Sequence, residues 1–200
     1  MSIIKPSAQK ILIGIARHVG GALTISTFEE IIKMSHVGMW KALKKLETEK
    51  IIVLKAIGNK KNSPYVININ WDNPLTGKII ALALEHEAIS QRRWIVNFAE
   101  LEDKVDFLIL YGSVLASEKK ANDIDILSII SKKNISIEIE NAIMKIQKTQ
   151  IKPIHNIILS SPGLKDELNK PNIAFVNAVK DGVILFGQDK FVAFMQDMQK

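Results

Sequence analysis

A Gly-Ser pair followed at close range by two alternate aspartates constrains this chain more than any other feature. Residues 106–111 (Asp-Phe-Leu-Ile-Leu-Tyr) form an apolar run that leads directly into Gly112-Ser113. Nine residues separate Ser113 from Asp123-Ile124-Asp125, and a second apolar run, residues 126–130, follows. This spacing predicts a strand, a tight glycine turn, a connection and a second strand. Successive side chains of a strand point to opposite faces, so Asp123 and Asp125 share one. Two carboxylates so placed can hold one hard cation such as Mg²⁺, which takes oxygen ligands and keeps company with phosphates. Gly112 lets the backbone approach a phosphate closely, and the Ser113 hydroxyl can donate a hydrogen bond to it. Lys119 and Lys120, in the connection, either add positive charge there or are plain loop lysines.

The pattern resembles the nucleotidyltransferase superfamily that includes DNA polymerase β and the small stand-alone prokaryotic nucleotidyltransferases. That family carries an apolar residue, Gly, Gly or Ser, a short variable stretch, then Asp-apolar-Asp. Here the series reads Tyr111-Gly112-Ser113 and Asp123-Ile124-Asp125, with Asn122 where the family usually carries Ser. The family often places a basic residue and a Gly shortly after the Ser, whereas this chain has Leu115-Ala116-Ser117-Glu118. The run Asp181-Gly-Val-Ile-Leu-Phe-Gly187 resembles the tail of many small members, so the likeness covers roughly residues 100–200.

The resemblance implies that Asp123 and Asp125 are the catalytic carboxylates and hold Mg²⁺. It implies that Gly112 and Ser113, joined by Lys119 and Lys120, hold a nucleoside triphosphate. The reaction implied is transfer of a nucleoside monophosphate to a hydroxyl. Catalytic members draw a third carboxylate from a later strand, and the candidate strand, residues 151–159, contains no acid. His155 or Asn156 stands near that place. His155 is either a base acting near neutral pH or a polar residue on a half-exposed strand. Binding of nucleotide and metal is therefore a firmer expectation than turnover, and enzymatic activity is left open.

Charge is spread unevenly. Residues 1–74 hold ten Lys and one Arg against four Glu and one Asp, while residues 75–200 are balanced, so the whole net charge of +6 lies in the first part. A basic domain beside a neutral one points to nucleic acid. Its pattern reads as a helix over residues 7–18 and a short extended piece at 23–25. A capping box at Thr27-Phe-Glu-Glu30 opens a short helix, and a second, opened by Ser35, runs to about residue 49. Strands at 51–57 and 65–70 follow. Three helices and a β-hairpin resemble the archaeal and bacterial winged-helix regulators. On the recognition helix Met39, Leu43 and Leu46 face inward. Lys41, Lys44 and Lys45, with Lys60 and Lys61 at the wing tip, are the expected phosphate contacts on double-stranded DNA. Ser35, His36, Val37 and Trp40 are the candidate base readers, although Trp40 equally fits core packing or a dimer contact.

The expected architecture is thus α+β, an N-terminal winged helix-turn-helix followed by a small nucleotidyltransferase-like mixed-sheet domain. Residues 1–73 form the first domain, 74–103 a helical connector and 104–200 the second domain. The connector reads as one long helix over 75–102, with a break allowed, and Arg92, Arg93 and Trp94 are read as exposed or interfacial. With 47% hydrophobic and 24% charged residues the chain is globular, and its lack of cysteine excludes disulfides and thiol chemistry. No apolar run approaches ~18 residues and the N-terminus lacks a signal-peptide layout, so a cytoplasmic location without membrane contact is expected. Three functions fit: a nucleotidyltransferase directed by its DNA-binding domain, or a transcriptional regulator with a degenerate nucleotide-sensing domain. The third is an antitoxin-like protein with a toxin partner, by resemblance to small nucleotidyltransferases paired with HEPN ribonucleases. A homodimer is the default assembly.

Overall fold

Helices and strands fall into two groups along the chain, and the architecture is α+β. The computed structural model describes residues 6–58, 63–170 and 172–199. Two compact units divide at the middle of one helix: Met1–Ala83 and Leu84–Lys200.

In the first unit, α1 (Pro6–Ala16) begins with proline, which fits the first helical turn because its missing N–H is unpaired there anyway. It buries Ile11, Leu12 and Ile15. Helix α2 (Ile25–Ile32) is capped by Thr24, whose Oγ1 accepts from the backbone N–H of Thr27 at 3.2 Å. The expected cap, Thr27, instead lies inside the first turn, where its hydroxyl contacts that of Thr24 at 2.9 Å. Thr24 is extended (φ −83°, ψ 159°) and bridges to Val66, which leaves it half outside the helix as a cap must be. Ser35 caps α3 (His36–Thr48), and Met39, Leu43 and Leu46 are buried as their spacing predicts. Strands β1 (Ile52–Ala56) and β2 (Tyr65–Ile69) pair antiparallel from Ile52–Ile69 to Ala56–Tyr65. Helix α4 (Pro74–Ile89) carries the division between the units, and Asn73 Oδ1 accepts from Leu75 N at 3.0 Å at its start.

The connector carries the break that its sequence allowed. After α4 the chain tightens: Ser90 N and Gln91 N donate to the carbonyls three residues back, and the Ser90 hydroxyl competes for the Glu87 carbonyl at 2.6 Å. A short α5 (Arg92–Asn97) and a 3₁₀ turn (Ala99–Leu101) follow. Trp94 is buried, stacked on Phe98 with centroids 6.0 Å apart, so it is a core residue and not the exposed or interfacial one expected.

The second unit is built on a four-stranded mixed sheet, β3 (Phe107–Tyr111), β4 (Ile124–Ile130), β5 (Ile154–Ser160) and β6 (Val183–Phe186), in the order β5-β4-β3-β6. Strands β3 and β4 are antiparallel, as are β3 and β6, while β4 and β5 are parallel. Both faces of β3 and β4 are buried, which explains their continuous apolar runs. On one face Leu108, Leu110, Ile126 and Ile130 cluster with Trp94, Phe98 and with Ile139 and Ile146 of α7 (Ser136–Gln147). Met144 of α7 is exposed. On the other face Phe107 meets Phe191 and Phe194 of α10 (Gln188–Met198), with centroids 5.4 and 5.6 Å apart. The short α6 (Ser113–Ala116) follows β3, and α8 (Ser161–Asn169) and α9 (Ile173–Asp181) join β5 to β6.

Gly187 seats β6 and α10 against β3. Its φ is +74°, and a Cβ there would stand 1.9 Å from the Asp106 carbonyl oxygen. Gly187→Ala should therefore destabilise the chain by more than about 2 kcal/mol, through left-handed strain and backbone overlap together. Chemical denaturation followed by circular dichroism measures this, and an unchanged midpoint would show that the turn relaxes freely.

Candidate functional site

The register of the second sheet assembles a polar cluster at one end of three strands. Tyr111 pairs with Asp125 across β3 and β4, and Asp125 pairs with His155 across β4 and β5. Asp123, in the bend just ahead of β4, comes close to Asp125 and His155. His155 Nδ1 lies 3.5 Å from Asp123 Oδ2 and 3.5 Å from Asp125 Oδ1. One ligand atom from each of the three residues lies within 4.8 Å of the others, a spacing that suits one metal ion. Asn156 belongs to the opposite face of β5, where its Oδ1 accepts from the buried Ser128 hydroxyl at 2.8 Å. Of the two candidates for the place of a third carboxylate, the strand pairing brings His155 to the aspartates.

Gly112 is required at this point. Its φ is +82°, and a Cβ would stand 2.4 Å from Asp125 Oδ2. The glycine thus makes room for a carboxylate as well as for a turn. Ser113 follows it, exposed, at the start of α6. Lys119 and Lys120 are exposed in the connection.

The electrostatics follow from burial and from like charge. Partial burial raises the Asp125 carboxyl above the ordinary aspartate range; the nearby Asp123 raises it further, and His155 pulls it back. The Tyr111 hydroxyl is raised by burial first, then by Asp125 and Asp123. The site therefore concentrates negative charge in a partly desolvated place, the condition a cation relieves.

Three contributors owe their contacts at the site to the fold. Tyr111 owes its place to a register that only the folded sheet defines. The Lys152 ammonium donates to the backbone carbonyls of both Glu118 and Ala121, which fastens the connection ahead of Asp123. Arg93 forms an ion pair with Glu118 in the same connection and stands 5.1 Å over the Trp94 ring. None of these contacts has a local sequence signal.

The first unit places its predicted residues differently. Ser35 caps α3, its Oγ accepting from Gly38 N at 3.3 Å, and Val37 is exposed. His36 Nδ1 contacts the Glu29 carboxylate. Trp40 is half-buried and packs on Tyr65 of β2, with centroids 5.5 Å apart and rings tilted 58°. The Lys44 ammonium lies 4.9 Å from the centre of Trp40 and 5.9 Å from that of Tyr65, and donates to Glu47 at 2.8 Å. Lys45 pairs with Glu49 at 3.5 Å, and Lys41 is exposed. His36, Glu29, Trp40 and Tyr65 border a pocket of about 330 Å³ with Ile25 and Pro64. Lys60 and Lys61 lie outside the described residues.

Compared with known proteins, the chain matches no family, no curated sequence and no solved structure. Because the fold raises the Asp125 carboxyl, stability is fully present while the group is protonated and falls as pH rises through its folded value. In chelator, Asp125→Asn should raise the melting temperature near about pH 7 and change it little near about pH 4. A melting temperature that falls at neutral pH would mean the carboxylate is stabilised where it stands.

Proposed function

We propose that the chain is a DNA-binding protein whose second unit takes a nucleoside triphosphate together with a divalent cation. In this reading the first unit is a winged helix-turn-helix, with α3 as recognition helix and β1–β2 as wing. The second unit is a nucleotidyltransferase-like domain. The observation that carries it is the convergence of Gly112, Asp123 and Asp125 with His155 at one end of the mixed sheet. The glycine turn offers backbone to a phosphate, and the aspartates hold the cation that neutralises phosphate charge. Magnesium is the ion implied by the resemblance. The reaction class such a site serves is attack of an acceptor hydroxyl on the α-phosphorus, with pyrophosphate leaving.

A second reading, a transcriptional regulator that senses nucleotide without turnover, is favoured by one observation. The third group is an imidazole, which brings less negative charge to the cation site than the third carboxylate implied by the resemblance. The exposed Lys41 and Lys44 of α3 and the basic balance of residues 1–74 support the DNA contact in both readings.

Calorimetric titration of ATP, GTP, CTP and UTP in the presence of a divalent cation separates these ideas from a mere scaffold. Wild type should bind at least one of them, and Asp123→Asn with Asp125→Asn should lose that binding. Absence of binding to all four would remove the nucleotide reading. For the first unit, Lys41→Glu with Lys44→Glu should weaken binding to duplex DNA by more than about tenfold at moderate salt and flatten the salt dependence. Equal affinity in a fluorescence-polarisation titration would remove α3 from the interface.

A further inference from the structure

We infer that the Asp123–Asp125–His155 centre prefers a divalent transition ion, of the manganese and cobalt kind, over magnesium. This rests on reading the two aspartates as a cation site, as proposed above. The donor set is mixed: two carboxylates and one imidazole nitrogen, all from neighbouring positions on β4 and β5 or just ahead of β4. Hard magnesium takes oxygen almost exclusively, whereas imidazole suits the later divalent ions, and carboxylate and phosphate oxygens remain acceptable to manganese.

The geometry favours ligation over a simple His–Asp hydrogen bond. His155 Nδ1 is equidistant from the two carboxylates, 3.5 Å from each, which is long for a hydrogen bond to either. Ligand atoms about 2.1 Å from a shared ion stand about 3.0–3.4 Å from one another in octahedral or tetrahedral arrangement. The two His155 separations lie just outside that range, and the three ligand atoms all lie within 4.8 Å of one another. His155 is the most exposed of the three, 59% against 33% and 23% for the aspartates. Three protein ligands on an open side leave positions for phosphate oxygens or water. Exchange of a third carboxylate for a neutral imidazole also removes one negative charge, and magnesium, held mainly by carboxylate charge and water, loses more by this than an ion that gains a nitrogen bond.

The test uses the full chain stripped with chelator and desalted, titrated calorimetrically with MgCl₂, MnCl₂ and CoCl₂. Wild type should bind Mn²⁺ and Co²⁺ at least about tenfold tighter than Mg²⁺. His155→Ala should cut the Mn²⁺ and Co²⁺ affinities by about tenfold or more and leave Mg²⁺ weak, whereas His155→Asp should strengthen Mg²⁺ and shrink the ratio. Electron-spin-echo spectroscopy of the Mn²⁺ form should show coupling to an imidazole nitrogen that disappears in His155→Asp. Circular dichroism confirms that each variant is folded. Equal affinity of wild type for Mg²⁺ and Mn²⁺, or unchanged Mn²⁺ affinity and nitrogen coupling in the His155 variants, overturns the preference while leaving the cation site standing. No binding of any of the three ions by folded wild type, or binding that survives Asp123→Asn with Asp125→Asn, overturns the site itself.

Discussion

Strand β4 is hydrogen-bonded along both edges, antiparallel to β3 and parallel to β5, and residues 126–130 are buried throughout. Its register is therefore fixed by burial on two faces at once. A slip of one residue would exchange the faces, driving Asp125 toward the core side of Ile124 and Ile126 and losing the packing of both. The same register sets Tyr111 and His155 level with Asp125. Everything polar at this end of the sheet thus depends on apolar contacts further along the same strand. Core packing and site geometry are two ends of one element.

The local chemistry at that end is arranged around excess negative charge. Gly112 makes room for the Asp125 carboxylate, Asp123 stands beside it, and burial together with both carboxylates raises the neighbouring Tyr111 hydroxyl. A fold selected for stability alone would separate these groups. The connection between Gly112 and Asp123 is instead fastened in place, by Lys152 on the Glu118 and Ala121 carbonyls and by Arg93 on Glu118. Cations are spent on the loop backbone and not on neutralising the aspartates, so the charge is kept available to something that enters from solvent.

Much of this was legible in the sequence because it is encoded locally. The Asp-x-Asp spacing marked the two aspartates that the fold brings together, Ser35 announced α3, and the spacing of Met39, Leu43 and Leu46 marked its buried stripe. What was not legible depends on contacts distant in sequence. The choice between His155 and Asn156 follows from a parallel pairing across 30 residues, Asp125 with His155, that no local pattern specifies. Trp94 looks like a surface residue beside two arginines, yet tertiary packing on Phe98 buries it. The end of α4 has no Gly or Pro, only a serine whose hydroxyl takes a backbone carbonyl. Thr24 outcompeted Thr27 as a cap because its bridge to Val66 holds it extended, a constraint that comes from β2 and not from the capping sequence.

One feature of the sheet order links occupancy to integrity. Among the described residues β5 is an outer strand, paired with β4 alone, and it carries His155. Outer strands open by local fluctuation at a lower free-energy cost than central ones, and hydrogen exchange reports that opening. Any ion that bridges His155 to the aspartates binds the docked strand and not the frayed one. By mass action it holds the edge closed, in proportion to the logarithm of its concentration over its dissociation constant. Edge and ion would then form a single thermodynamic unit, and depletion of such an ion would loosen the flank of the sheet from which α8 departs.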